Sequence, residues 1–258
     1  MIERVFIVTY CRNASLYYGT SLIFKTIRVG FPNAEITIID NASVFGVDTT
    51  RKLAESIGAT FIPLSTARGH HNILADIIDS ADVPTAIVDP DIVFWERADE
   101  SKGILEGRLI PNFFDPTSGC HTHERLHTSF LKFKPELRDI IMGIFADKCH
   151  WQPFTPIMLE VEGWWQRWDT MSGLYASIKH LAKPFSEDDL NKYDHLFCGS
   201  HIDQISEKLG KWESFLVALH EAAKTGDLTA LRGAWKVQDA FFKECVIPKP
   251  PLPHVLSR

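Results

Sequence analysis

The sequence predicts an α/β fold: a mostly parallel sheet with covering helices, followed by C-terminal helices. Three observations predict it. Short apolar runs alternate with helix-like patterns four times within the first 91 residues. The fourth run, Ala86-Ile87-Val88, suits a strand buried on both faces and is followed at once by Asp89-Pro90-Asp91. Beyond residue 205, Leu209, Trp212, Leu216, Leu219 and Ala223 recur at helical spacing.

In order, Val5 to Thr9 reads as a buried strand that leaves into Tyr10-Cys11-Arg12-Asn13. Leu16, Ile23, Phe24 and Ile27 mark a helix, closed by Gly30 and Pro32. Ile36 to Ile39 is a second strand, ending in Asp40-Asn41-Ala42-Ser43. A helix over 49–57 has Gly58 suited to its C′ position. Thr60 to Leu64 is the third strand. Gly69 precedes a helix with Ile73, Leu74, Ile77 and Ile78 on one face. Right-handed crossovers bring the carboxyl ends of all these strands to one edge, where open α/β sheets take their ligands. Asn13, Asp40, the stretch from Arg68 to Asn72, and the Asp89/Asp91 pair are therefore expected along it.

The second half is less regular. A strand is expected over 109–114, a polar loop from Cys120 to His127, a short strand over 130–133, and a helix from Pro135 to Lys148. An aromatic tract follows, with Trp151, Phe154, Trp164, Trp165 and Trp168, then a helix carrying Leu174, Ile178 and Leu181. A strand runs from Tyr193 to Phe197. Two amphipathic helices are split at Gly226-Asp227, and the proline-rich tail from Pro248 is extended. No internal repeat is present.

Apolar residues make up 45% of the 258 and charged residues 23%, enough for a full globular core. A net charge of −6 without a long basic run argues against nucleic acid as the main partner. Five scattered cysteines without a C-x-x-C pair fit reduced thiols and a cytoplasmic setting. No signal-peptide pattern opens the sequence, and no apolar stretch approaches the roughly 20 residues that span a bilayer.

The chemistry-bearing stretch is Asp89-Pro90-Asp91. Proline has no N–H for a sheet ladder, so the strand stops there. Residues two apart in an extended segment point the same way, so both carboxylates leave the strand end together. Paired carboxylates repel unless a proton or a cation relieves them, and oxygen ligands suit Mg²⁺ or Mn²⁺.

Four features in this order resemble family 2-like glycosyltransferases of the GT-A fold, which use nucleotide-diphosphate sugars. They are a first strand ending T-Y-C-R-N, a second ending I-I-D-N-A-S, the segment G-H-H-N-I-L-A, and V-D-P-D-I-V-F-W. The resemblance covers 5–96, with looser echoes to His201. It implies a catalytic domain over 1–205, with a nucleotide-binding half (1–96) and an acceptor half (97–205). A helical annex (206–247) and a tail (248–258) follow. It implies that Thr9, Tyr10, Arg12, Asp40, Arg68, Asn72 and Asp89 bind the nucleotide sugar. Asp40 would accept a hydrogen bond from the base, against an ordinary turn or cap role. Arg68 would pair with the diphosphate or simply sit at the surface, and Asn72 would cap its helix, touch the sugar, or both. Asp89 and Asp91 would hold Mn²⁺ or Mg²⁺, with Asp91 the direct ligand. A late histidine, His195 or His201, would complete the metal site. The alternative for each is a core histidine.

The activity so implied is metal-dependent transfer of a sugar from a nucleotide-diphosphate donor to a hydroxyl of a carbohydrate or lipid-linked acceptor. It is read as inverting, which needs a carboxylate base. The family's E-D pair is missing here. Asp169 is the candidate, with Glu162 and Asp188/Asp189 in reserve and a helix N-cap as the alternative role. Cys120, His121, His123 and His127 match no standard zinc spacing; a ligand-contacting loop with Arg125 at a phosphate fits them better. The tryptophans suit a sugar-stacking platform mixed with core. The C-terminal helices suit a homodimer surface or a cover over the acceptor cleft. Two rivals stand: a haloacid-dehalogenase-type phosphohydrolase using Asp89, Asp91, Lys183 and Asp188/Asp189, and a non-catalytic binding module on a transferase scaffold.

Overall fold

A computed structural model describes residues 1–13, 21–115, 120–145, 156–161, 164–195 and 206–245. Four strands open the chain: β1 (Arg4–Thr9), β2 (Glu35–Asp40), β3 (Thr60–Pro63) and β4 (Thr85–Val88). Between them lie α1 (Ile23–Gly30), α2 (Val47–Ser56) and α3 (His70–Ser80). All four strands run parallel, side by side as β4-β1-β2-β3.

The sheet extends past β4 through β9 (Arg125–Phe133), β6 (Leu105–Ile110) and β12 (Ala182–Pro184), seven strands in all. β9 is antiparallel to both of its neighbours, while β6 and β12 run parallel to each other. The fold class read from the sequence, a mostly parallel sheet covered by helices, is the one observed.

Period-two alternation divides the strand side chains between two cores. Val5 and Ile7 of β1 with Ala86 and Val88 of β4 face α1, packing on Ile23, Phe24 and Ile27. Ile87 and Val8 face the other way, onto Ile73, Leu74, Ile77 and Ile78 of α3. α1 approaches closely at Gly30, where a Cβ would stand 2.7 Å from Cγ of Phe94. α2 ends as expected, with Gly58 in the left-handed region at φ +68°.

Beyond β4 the local expectations fail more often. The strand expected over 109–114 is instead β6, ending at Ile110, and β7 (Phe113–Asp115). The expected loop over 120–127 contains β8 (Cys120–Thr122) and the start of β9, which absorbs the short strand at 130–133. β7 and β8 are three residues each, and the first part of β9, Arg125 to Ser129, is polar apart from Leu126, so no apolar run announces them. α4 (Glu136–Phe145) matches the expected helix through Phe145.

The aromatic tract supplies β10 (Ile157–Val161) and β11 (Trp164–Trp168), which join β8 and β7 in a four-stranded sheet, β10-β11-β8-β7. Trp165 is about half exposed, and Trp168 stacks on His123 with centroids 3.8 Å apart. α5 (Ser172–Ile178) stops short of Leu181. α6 (Glu187–Leu190) precedes β13 (Tyr193–His195). Trp151, Phe154, Glu162, His201 and the tail from Pro248 lie outside the described residues.

The last helices, α7 (Ser206–Ala223) and α8 (Leu228–Cys245), form a hairpin on either side of Gly226, as the break predicted. Phe215, Leu216, Leu219, Leu231 and Trp235 pack on Leu22, Val93 and Trp95. Val93 and Trp95 belong to and follow β5 (Ile92–Phe94), so the hairpin rests on the segment that leaves Asp91. No helix among the described residues is long and apolar enough to cross a membrane.

Candidate metal centre

The centre is built on a turn. β4 ends at Val88, and the N–H of Ile92 bonds back to the carbonyl of Asp89 at 3.2 Å. Pro90 therefore occupies the second position of a four-residue turn, where its fixed φ is favourable. The N–H of Asp89 donates to the carbonyl of Ser129 on β9 at 2.6 Å, which anchors the turn to the sheet.

After the turn, β5 leaves the main sheet and pairs antiparallel with β13, with Ile92 opposite His195. This register brings a residue over a hundred positions downstream to the carboxylates. Nε2 of His195 lies 3.2 Å from Oδ1 of Asp91. One ligand atom from each of Asp89, Asp91 and His195 lies within 4.8 Å of the other two. Among the described residues it is the one group of histidine, cysteine and acidic side chains with metal-binding geometry.

The ribbon is held firmly. Nε1 of Trp95 donates to Asp194 at 2.6 Å, the Trp95 N–H donates to the carbonyl of Lys192, and the Phe94 N–H donates to the hydroxyl of buried Thr26. Behind it, Phe31, Phe94, Phe130 and Tyr193 form edge-to-face ring contacts.

Electrostatics mark the centre as strained without a cation. Burial and then the neighbouring charge of Asp91 push Asp89 up to about 7, partly offset by His195. Burial works against charge on His195, but Asp91, its hydrogen bond and Asp89 outweigh this and raise its pKa. A divalent ion would relieve the carboxylate repulsion and could take the neutral imidazole as a ligand. Two carboxylates and one imidazole are a mixed oxygen–nitrogen set, which suits Mn²⁺ or another transition ion better than Mg²⁺.

The other residues singled out from sequence lie as follows. Thr9 and Asp40 end adjacent strands in register, and the Thr9 hydroxyl donates to Asp40 at 3.1 Å. Asp40 is buried and also accepts from the N–H of Ser43. Tyr10 is exposed, with the Arg12 guanidinium 5.9 Å from its ring. The Arg68 side chain pairs with Asp76 at 2.6 Å. Its backbone is gripped at both N–H and carbonyl by the side-chain amide of Asn41, a role that the strand-end motif alone does not announce. Asn72 sits in the first turn of α3, whose N-cap is Gly69.

Asp169 does not cap α5, whose N-cap is Met171. Its carboxylate lies 2.8 Å from Arg125 and 3.4 Å from Arg167, and it accepts from the Thr170 N–H. Nη1 of Arg125 is buried with no partner among the described residues. Asp189 caps α6 reciprocally with Ser186 and meets Lys102 and Lys192, while Asp188 pairs with Lys192. Lys183 lies on β12 opposite Glu106. Asp188 and Asp189 are not part of the Asp89 group, so the late acidic pair of the phosphohydrolase reading is not brought to it.

The Cys120–His127 set disperses. Cys120 is buried, His121 meets Phe114, His123 bonds Gln166 and stacks on Trp168, and His127 alone reaches the metal centre.

No protein-family model matches the sequence, and no curated protein matches it. The structure is similar to solved glycosyltransferases. One is the mannosyltransferase PcManGT from Pyrobaculum calidifontis in complex with GDP-Man and Mn²⁺, at 15% identity and TM-score 0.37, covering 92% of this chain and 74% of that one. A second is GlyE from Streptococcus pneumoniae TIGR4, at 11% identity and TM-score 0.45; this chain spans 64% of its length, with 93% of itself covered. A third is TarS 1-349 from S. aureus, at 14% identity and TM-score 0.39, covering 93% of this chain and 92% of that one.

Proposed function

We propose that this protein is a metal-dependent glycosyltransferase that moves a sugar from a nucleotide-diphosphate donor to an acceptor hydroxyl. The observation that carries the reading is the Asp89–Asp91–His195 group at the carboxyl end of β4 in a mostly parallel sheet. The four sequence features that resemble the GT-A family lie on the strands and helix lining that edge.

Asp89, Asp91 and His195 would hold Mn²⁺, or less well Mg²⁺. The ion, when bound, supplies positive charge for the departing diphosphate. The remaining steps belong to the chain. Asp40, beside Thr9, is the acceptor offered to the donor's base. Arg12, Tyr10, Arg68 and Asn72 border the same edge and are assigned to the nucleotide sugar. Asp169 is assigned as the base that takes the acceptor proton, acting from within its pairing with Arg125 and Arg167. Inversion follows from that assignment.

The test is thermal stability against nucleotides and nucleotide sugars, each with and without Mn²⁺. Ligand at about a hundred times its Kd stabilises by about 2.7 kcal/mol, which a melting curve resolves. A Mn²⁺-dependent rise with one nucleoside diphosphate, lost in Asp91→Ala, is expected and names the base. No rise with any of them refutes the reading.

A further inference from the structure

His127 lies on β9, 68 positions before His195 in the chain and next to it in space. The pairing of β6 with β9 shifts register here: Leu109 faces Leu126, yet Gly107 faces Leu131. Residues 127–130 therefore form a bulge in β9, of the kind that redirects side chains beside functional sites. The bulge includes Ser129, whose carbonyl receives the Asp89 N–H.

The bulge also fixes the His127 ring. The backbone N–H of Ser129 donates to Nδ1 of His127 at 3.1 Å, and the Ser129 hydroxyl lies 2.7 Å from the same nitrogen. A nitrogen that accepts from a backbone N–H carries its lone pair there, so the ring is held as the Nε2–H tautomer. Held in this plane, it meets the His195 ring with centroids 5.4 Å apart and planes at 65°. One residue, Ser129, thus anchors both the Asp89 turn and the ring that abuts His195.

We propose that His127 is a positioning residue of the metal centre. Clamped by Ser129, it sets the orientation in which His195 presents Nε2 beside Asp91. It does not itself bind the ion. This inference rests on the metal centre proposed above. Ligand histidines are commonly oriented by a second group, and loss of such a group typically weakens metal binding by about 10- to 100-fold. A ring contact without a hydrogen bond to His195 belongs at the low end, about tenfold.

The experiment is Mn²⁺ titration of the nucleotide-free protein by calorimetry and by the Mn²⁺ paramagnetic resonance signal. It compares wild type, His127→Ala and Ser129→Ala, with melting curves in the presence of EDTA as the check on folding. The expected result is a Kd about tenfold weaker in His127→Ala and a few-fold weaker in Ser129→Ala, with melting temperatures in EDTA close to wild type. Wild-type Mn²⁺ affinity in both variants overturns the inference and leaves the metal centre standing. If His127→Ala does not fold, an unchanged Kd in Ser129→Ala overturns it alone. A wild-type protein that binds no Mn²⁺ removes the metal centre and the inference together.

Discussion

Asp89 holds its charge at a cost that a single substitution exposes. In the metal-free protein its pKa stands at about 7, against an ordinary 3.8, because burial and Asp91 disfavour the carboxylate. The sign follows from linkage. A carboxyl raised in the folded state binds its proton more tightly there than in the unfolded chain, so raising the pH from about 4 to above 7 removes stability. The cost is about 2 kcal/mol at about pH 5 and about 4 kcal/mol at about pH 8, taking about 1.36 kcal/mol per unit.

Asp89→Asn removes this titration while nearly preserving shape. The variant is therefore expected to gain on wild type by about 2–3 kcal/mol between about pH 5 and pH 8, with metal chelated. Urea denaturation in EDTA at several pH values, analysed at constant m, measures the gap. A gap independent of pH refutes the assignment of the raised pKa to Asp89. Adding Mn²⁺ at pH 8 is expected to reverse the ranking, since only wild type keeps both carboxylates.

Asp91→Ala is expected to abolish any Mn²⁺-dependent rise in melting temperature, and to lower the pKa of His195, which loses its main charge partner; nuclear magnetic resonance of the histidine ring protons follows the latter. Trp235→Ala empties a buried site between α7, α8 and Trp95, and is expected to cost about 3–5 kcal/mol in denaturant unfolding. Because that hairpin packs on Val93 and Trp95, Mn²⁺ affinity is expected to fall in the same variant. Gly30→Ala drives a methyl group to within 2.7 Å of the Phe94 ring and is expected to destabilise by about 1–3 kcal/mol, with the melting temperature as readout.

The sequence by itself determined the first half of the fold, and for a local reason. Val5–Thr9, Ile36–Ile39 and Ala86–Val88 lie on central strands, so their apolar runs announce them, and Gly58 and Pro90 mark backbone conformations that few other residues favour. The paired carboxylates were legible too, although it is a turn around Pro90, and not the extended segment expected there, that brings them together. The tertiary structure decided what depends on register between distant segments. Ile92 opposite His195 brought that histidine beside the two carboxylates, and the β9 bulge turned His127 toward it while its sequence neighbours went elsewhere. It also showed Asp169 tied to two arginines and Asp189 spent on a helix cap, roles that an isolated acidic residue does not reveal. β8, β10 and β11 stayed hidden because their strands lie partly open to solvent, where alternation between apolar and polar residues is weak. Local propensity is written in neighbouring residues; a site assembled across a hundred positions exists only once the sheet has set its register.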